Sequence, residues 1–533
     1  FGKGRQPENE DGMNRLYMVE PAFSLTGGSA DHRYRLAPSQ VLPVAVLLAS
    51  EIATATGDAA LKGVADSLSG KLRPSVYRLD WIKECAADLV SAKGEALVLA
   101  GQRYGREVHL VVAAINKALG AYGTHIKTVR HDLPKMGALA DLVSSAEKGE
   151  IDTLIVANDG DPVFDAPSDS GFGAALEKIA TTVHLGFYQN KTAQGASWHV
   201  PGAHYLEAWG DFWSVSGVYS VQQPMINPLW GGVSEISLLL SLLAPAGEGE
   251  GEEVESSGVT ALDAVKQTFA EVGGKDWNAT LRDGFSSGPG LESLSAPDVS
   301  GVAASIADAE VVDFPHPEAM EVVLAAGGAT YDGRFANNGW LQEAPDPITK
   351  LTWDNAVLMS FATAERLGFE DEQLVEIRVG DRKVEAPVLR SPGHADYVVT
   401  LALGYYGGEG IGRVSEGAGY DAYPLMDAAH RYSVPGAVLS DVGTSHKLAL
   451  TAEHYSMEGR AIAREGTLEL FEEKPDFAQH QGMDHHIPEN VSLYKGYKYN
   501  PETEADYEQN ESNQKPALEG HAFRIDPHHQ WAM

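Results

Sequence analysis

One cysteine, Cys85, stands in a chain of 533 residues. That excludes a disulfide within the chain, and it excludes an iron–sulfur cluster held by this chain alone, since a cluster needs several thiolate ligands. Any redox role must be exercised through something else. Basic residues are scarce too: 40 Lys and Arg stand against 75 Asp and Glu, a net charge of −35. Such a surface repels phosphate backbones, which argues against nucleic acid as a partner, and it favours solubility in salt. Long apolar runs are missing. The longest, Val41 to Ala49 and Ile236 to Ala244, are about half the roughly 20 residues that a membrane-crossing helix needs, so no span is expected. The sequence opens at Phe1 without an initiator Met, a charged leader or a twin arginine, and any export signal is expected upstream. It reads as an interior segment of something longer. The absence of G-x-S-x-G, H-E-x-x-H and Walker loops removes the common hydrolase, zincin and NTPase readings.

What is present is ordinary globular composition, 43% apolar and 22% charged, with 56 Gly and 27 Pro pointing to many loops. At this length two or three domains are expected, because single cores stop growing near 250–300 residues. From about 41 to 242 helices alternate with short buried strands, the signal of an α/β domain with a mainly parallel, doubly wound sheet. Ala96 to Gly101 and Thr181 to Tyr188 read as strands, Thr153 to Pro162 as a strand running into a Gly turn, and Glu107 to Gly120 as a helix. Residues 248–255 carry five glutamates and read as a solvated insertion, followed by helical patterning within 258–330. From 331 to 465 short strands separated by turns predict a β-barrel. Residues 466–533 are polar and without a sustained period, which predicts an extended arm.

Cys85 lies at helical spacing with Leu79, Ile82 and Leu89 and reads as a small buried hydrophobe. The turn from Gly101 to Gly105 offers free amides at a helix start, but it lacks the third glycine of the dinucleotide fingerprint, so a packing turn is expected. His480, Asp484, His485 and His486 have the residue types of a metal site, as do His528 and His529, yet they sit in the polar tail and read as a solvated His-rich loop. Paired carboxylates are too abundant to single any out.

Several blocks together carry a resemblance: Asn14 to Leu36, Val200 to Asp211, Gln222 to Gly232, Tyr331 to Ser360 (YDGRFANNGWLQEAPDPITKLTWDNAVLMS), Ser391 to Leu425 and His454 to Arg460. They resemble the fused molybdopterin-like and iron–sulfur subunit of alternative complex III, the membrane quinol-oxidising complex, over nearly the whole chain. The resemblance implies a molybdopterin-oxidoreductase-like α/β fold over 1–247, a connector over 248–330, a barrel over 331–465 that resembles a pterin-dinucleotide-binding domain, and an arm over 466–533. The arm would lead to an iron–sulfur region with [4Fe-4S] and [3Fe-4S] clusters after Met533. If a pterin were bound, Gly404, Gly412, Arg413, Gly417 and His394 would face it. The family implies no molybdenum cofactor and no catalytic residue here, so the Gly-rich loop would be a packing surface, and His204, Glu207 and Trp209 would satisfy one another or the adjoining domain. The implied role is a non-catalytic scaffold on the periplasmic side, docked to multiheme cytochrome c and polytopic membrane subunits. A genuine molybdenum or tungsten bis-pterin enzyme is the alternative, and an adaptor binding zinc through His485 and His486 is a third.

Overall fold

The computed structural model describes residues 2–6, 13–130, 136–157, 159–243, 259–288, 290–406, 410–451 and 466–478. Residues up to Leu450 form one compact unit, and those from Thr451 form a second. In the second unit, the described residues hold a short helix, Leu468–Glu473, whose N-terminus is capped by the Thr467 hydroxyl accepting from Leu470 N–H. The tail histidines His480, His485, His486, His528 and His529 lie outside the described residues, as does the acidic run 248–255.

The first layer is built on a parallel strand pair, β1 (Tyr17–Glu20) and β2 (His32–Arg35), and four helices, α1 (Val41–Thr56), α2 (Ala59–Ser69), α3 (Leu79–Ser91) and α4 (Arg106–Leu119). α1 is apolar almost all round, the mark of a helix buried by its neighbours. With the turn before it, Pro38–Thr56 has the length and composition of a membrane span, yet it sits in the core against the other three helices. It stops at Gly57, where φ is +73°, a conformation glycine adopts without cost. The Asp58 carboxylate then caps α2 by accepting from Leu61 N–H at 2.8 Å. Cys85 is buried in α3, and burial pushes its thiol up to about 12, so it is inert.

The next sheet is parallel and three-stranded: β3 (Thr153–Val156), β4 (Thr181–Gly186) and β5 (Trp198–Pro201), with β4 in the middle. An antiparallel sheet follows from β6 (Gly210–Trp213), β7 (Val218–Gln222) and β8 (Phe285–Ser287). The barrel is closed by six strands in the order β9 (Met320–Ala326), β13 (Val398–Leu403), β10 (Val357–Met359), β12 (Arg382–Arg390), β11 (Gln373–Val379) and β14 (Ser433–Ser445). Its interior forms a second large core.

Two expectations change. The barrel begins at Met320, inside the stretch read as a connector. Its first strand is buried on both faces and, apart from the buried Glu321, is apolar throughout, so it has no period by which to recognise it. β14 runs through Pro435 and Gly436; the pairing shifts there, from Met320 opposite Ala437 to Val322 opposite Val434, and Gly436 takes φ +79°. The bulge lets the strand continue. Residues 96–101, expected as a buried strand, have no strand beside them among the described residues, and Leu99 is 79% exposed.

Candidate functional site

In an open parallel sheet, ligands bind outside the carboxyl ends of the strands. After β3 the chain turns through Asp159, which adopts φ +54° and accepts from Phe187 N–H at 2.9 Å. A Cβ at Gly186, the last residue of β4, would lie 2.3 Å from Asp159 Oδ1, so only glycine fits beneath this turn. Asp161 follows, 6% exposed. Its carboxylate accepts from Thr192 N–H at 2.8 Å, Thr192 Oγ1 at 2.7 Å and Lys191 N–H at 3.3 Å, and from the Tyr406 hydroxyl of the barrel layer. The loop after β3 is thereby fastened to the loop after β4 and to the barrel.

Behind it lies a pair of imidazoles. His184, fully buried, is 3.0 Å from the Gly160 carbonyl through Nε2 and 3.1 Å from His199 Nδ1 through its own Nδ1. The hydrogen-bond pattern assigns the tautomers: His184 Nε2–H donates to Gly160, so its Nδ1 accepts from His199 Nδ1–H. Burial lowers the pKa of both rings, which keeps them neutral.

Phe164 stacks on Tyr406 at 3.8 Å between centroids and meets Tyr423 edge-on at 4.9 Å. Lys191 sits 4.6 Å above the Phe164 ring and 3.6 Å from Asp421. Arg334 pairs with Asp332 at 2.7 Å. Inside this ring, burial first, and then the charges of Asp161 and Asp332, raise Asp165 to about 7 against the pull of Arg334. Burial also raises Asp159 and Asp421. Asp165 can therefore hold a proton near neutral pH, as perturbed carboxylates in functional sites do. Only about 30 Å³ of open space remains between its side chains. A site for a drug-sized ligand takes roughly 300–1,000 Å³, and this one is filled by the protein's own side chains.

The residues singled out from sequence are dispersed. Gly404 takes φ +85°, and a Cβ there would lie 2.6 Å from Gly333 N; Gly412 takes φ +119° with its Cβ position against the Asn337 amide. Both glycines allow one backbone to touch another part of the protein. Gly417 opens onto free space at φ +73°, and Arg413 is exposed. His394 is fully buried, contacts the Ala395 carbonyl at 3.1 Å and Thr400 Oγ1 at 2.9 Å, and burial lowers it to about 4. It is a neutral core histidine at a seam where Arg33 donates to the Gly393 carbonyl, Arg35 to that of His394, and Ala395 N–H to the Pro21 carbonyl. The Glu207 carboxylate accepts from His204 N–H at 3.1 Å, His204 Nδ1 accepts from Leu206 N–H at 3.3 Å, and Trp209 faces Trp277 at 6.3 Å. The Gly101 to Gly105 turn is a packing turn closed by Tyr104 N–H on Gly101 O.

Sequence reasoning misses Asp161, Asp165, Tyr406, His184 and His199. The run from Asp159 to Asp165 at the end of a strand is the available signal, and it drowns among 75 acidic residues.

No protein-family model matches the chain, and no curated protein matches it. Among solved structures it is similar to acetylene hydratase from Pelobacter acetylenicus, with a TM-score of 0.57 at 10% identity over 80% of this chain and 73% of that one. At that identity the likeness is one of fold. The α/β layers with parallel strands and the closed six-stranded barrel are therefore a fold shared with that protein.

Proposed function

We propose that the chain is a non-catalytic scaffold segment of a quinol-oxidising complex of the alternative complex III kind. It would hold an adjoining iron–sulfur region and dock heme-bearing and membrane subunits on the periplasmic side. The observation that carries this reading is the filled cleft at the carboxyl ends of β3 and β4. Phe164, Tyr406 and Tyr423 are packed together there, Asp161 is spent on four hydrogen bonds, and about 30 Å³ is left. The glycines that would approach a pterin approach Gly333 and Asn337 instead. A body so packed suits a part whose task is to keep electron carriers at fixed separations. Its likeness in fold to acetylene hydratase keeps a molybdenum or tungsten enzyme as the second reading.

Metal and pterin analysis of the intact complex purified from its source separates the two. The scaffold reading expects iron and heme with molybdenum and tungsten far below one per complex, and no oxidised pterin fluorescence on acid release. Stoichiometric molybdenum or tungsten with pterin would overturn it.

A further inference from the structure

Val98 is held as a strand residue is held, but by a side chain. Its N–H donates to Asn116 Oδ1 at 2.9 Å and its carbonyl accepts from Asn116 Nδ2 at 2.7 Å. In an extended chain, the polar groups of one residue point to one edge and those of its neighbours to the other. The backbone groups of Leu97 and Leu99 thus face away from Asn116, and among the described residues no backbone hydrogen bond reaches them. Their side chains are 40% and 79% exposed. β1 is a second open edge: among the described residues it pairs with β2 on one side and with no strand on the other.

Both edges border the same cavity, of about 760 Å³. Val44, Leu48 and Val108 line it from the helices, and Ala325, Leu358 and Ala402 from the barrel. Trp81 and Gln342, 8% and 1% exposed, also line it, and the Trp81 indole N–H and Gln342 Oε1 have no partner among the described residues. Open strand edges require alternating N–H and C=O groups, which an acyl chain cannot offer. Apolar walls on both sides require an occupant that is apolar on both faces, as strands between two layers are.

We infer that this groove is a strand acceptor, which takes an extended segment of a partner polypeptide, rich in Val, Ile, Leu and Ala, by β-addition along residues 97–99 and the outer edge of β1. The inference does not depend on the redox reading above.

The probe is a pool of peptides about seven residues long, a typical strand length, drawn from Val, Ile, Leu, Ala and Thr and flanked by Ser and Glu. The acidic flanks prevent mere charge attraction to an acidic protein. Fluorescence anisotropy with the full chain should show saturable binding, and hydrogen exchange should slow at the Leu97 and Leu99 amides. N-methylation at alternate residues, which removes the donors of one edge, should weaken binding by roughly tenfold or more. L97D/L99D, checked for native circular dichroism, should weaken it equally. No saturable binding, or equal binding of methylated and unmethylated pools, would overturn the inference. So would a concentration-dependent dimer dissolved by L97D/L99D, which would make a second copy the occupant.

Discussion

Asp165 gives the sharpest test of the packed carboxylate cluster. Its carboxyl titrates at about 7 in the folded protein against 3.8 ordinarily, because burial and the charges of Asp161 and Asp332 disfavour ionisation more than Arg334 favours it. Between these two values the folded state binds more protons than the unfolded one. Stability must therefore fall as pH rises from about 4 to 7, and the full penalty remains above 7. At about 1.4 kcal/mol per unit the upper bound is near 4 kcal/mol, and partial solvent contact reduces the expectation to about 1–3 kcal/mol. Asp165→Asn keeps the shape and removes the ionisation. The variant should be more stable than the parent by about 1–3 kcal/mol at pH 8, with the gain shrinking toward zero near pH 4. Urea unfolding followed by tryptophan fluorescence at pH 8, 6 and 4.5 reads this directly. A gain of equal size at every pH, or a loss at pH 8, would refute the account of how this cluster is charged.

Gly404→Ala places a Cβ 2.6 Å from Gly333 N at φ +85° and should cost about 3 kcal/mol or more in thermal unfolding, whereas exposed Arg413→Ala should change stability by less than about 0.5 kcal/mol. A loop built to grip a ligand through Arg413 would reverse that order in ligand-bound protein. His394, lowered to about 4 by burial, stays neutral while the unfolded chain takes up a proton below about 6.5, so stability is lost as pH falls from 6.5 toward 4. His394→Gln should flatten that part of the pH–stability curve, and an unchanged slope would count against it. Asn116→Leu removes the amide that stands in for a strand beside Val98. It should cost about 2–3 kcal/mol and speed hydrogen exchange at the Val98 amide, and unchanged exchange there would show that the amide is not what holds the segment.

Elements whose local signals agree with their surroundings are legible in the sequence. The helix expected from Glu107 is α4, set between Gly105 and Gly120, and the strands at Thr153 and Thr181 are β3 and β4. Where tertiary context overrides the local signal, reading fails. Ala96 to Gly101 has the composition of a core strand, but a strand is defined by its neighbour, and composition does not reveal whether the neighbour is present. Pro435 and Gly436 break most strands; here they fall at a bulge, where an unpaired residue is tolerated.

The site is less legible for a different reason. Asp161 matters because Tyr406, 245 positions along the chain, brings its hydroxyl to it, and Asp165 is perturbed because Asp332 arrives from the barrel layer. No spacing rule connects residues so far apart, and in a chain with 75 acidic residues a local pair of carboxylates carries almost no information. The glycines mislead in the opposite sense. Gly404 and Gly412 do serve close backbone approach, as glycine in a loop suggests, but the approaching group belongs to this protein. A sequence shows that something must come close to a glycine and leaves open whether it is a phosphate, a pterin or a neighbouring strand. Here Gly333 and Asn337 occupy those positions, and the aromatic stack of Phe164, Tyr406 and Tyr423 fills the adjacent cleft. Reopening it would require separating rings already in contact. The large apolar groove beside β1 needs no such rearrangement, so further chemistry or further partners are better sought there than in the filled cleft at the carboxyl ends of β3 and β4.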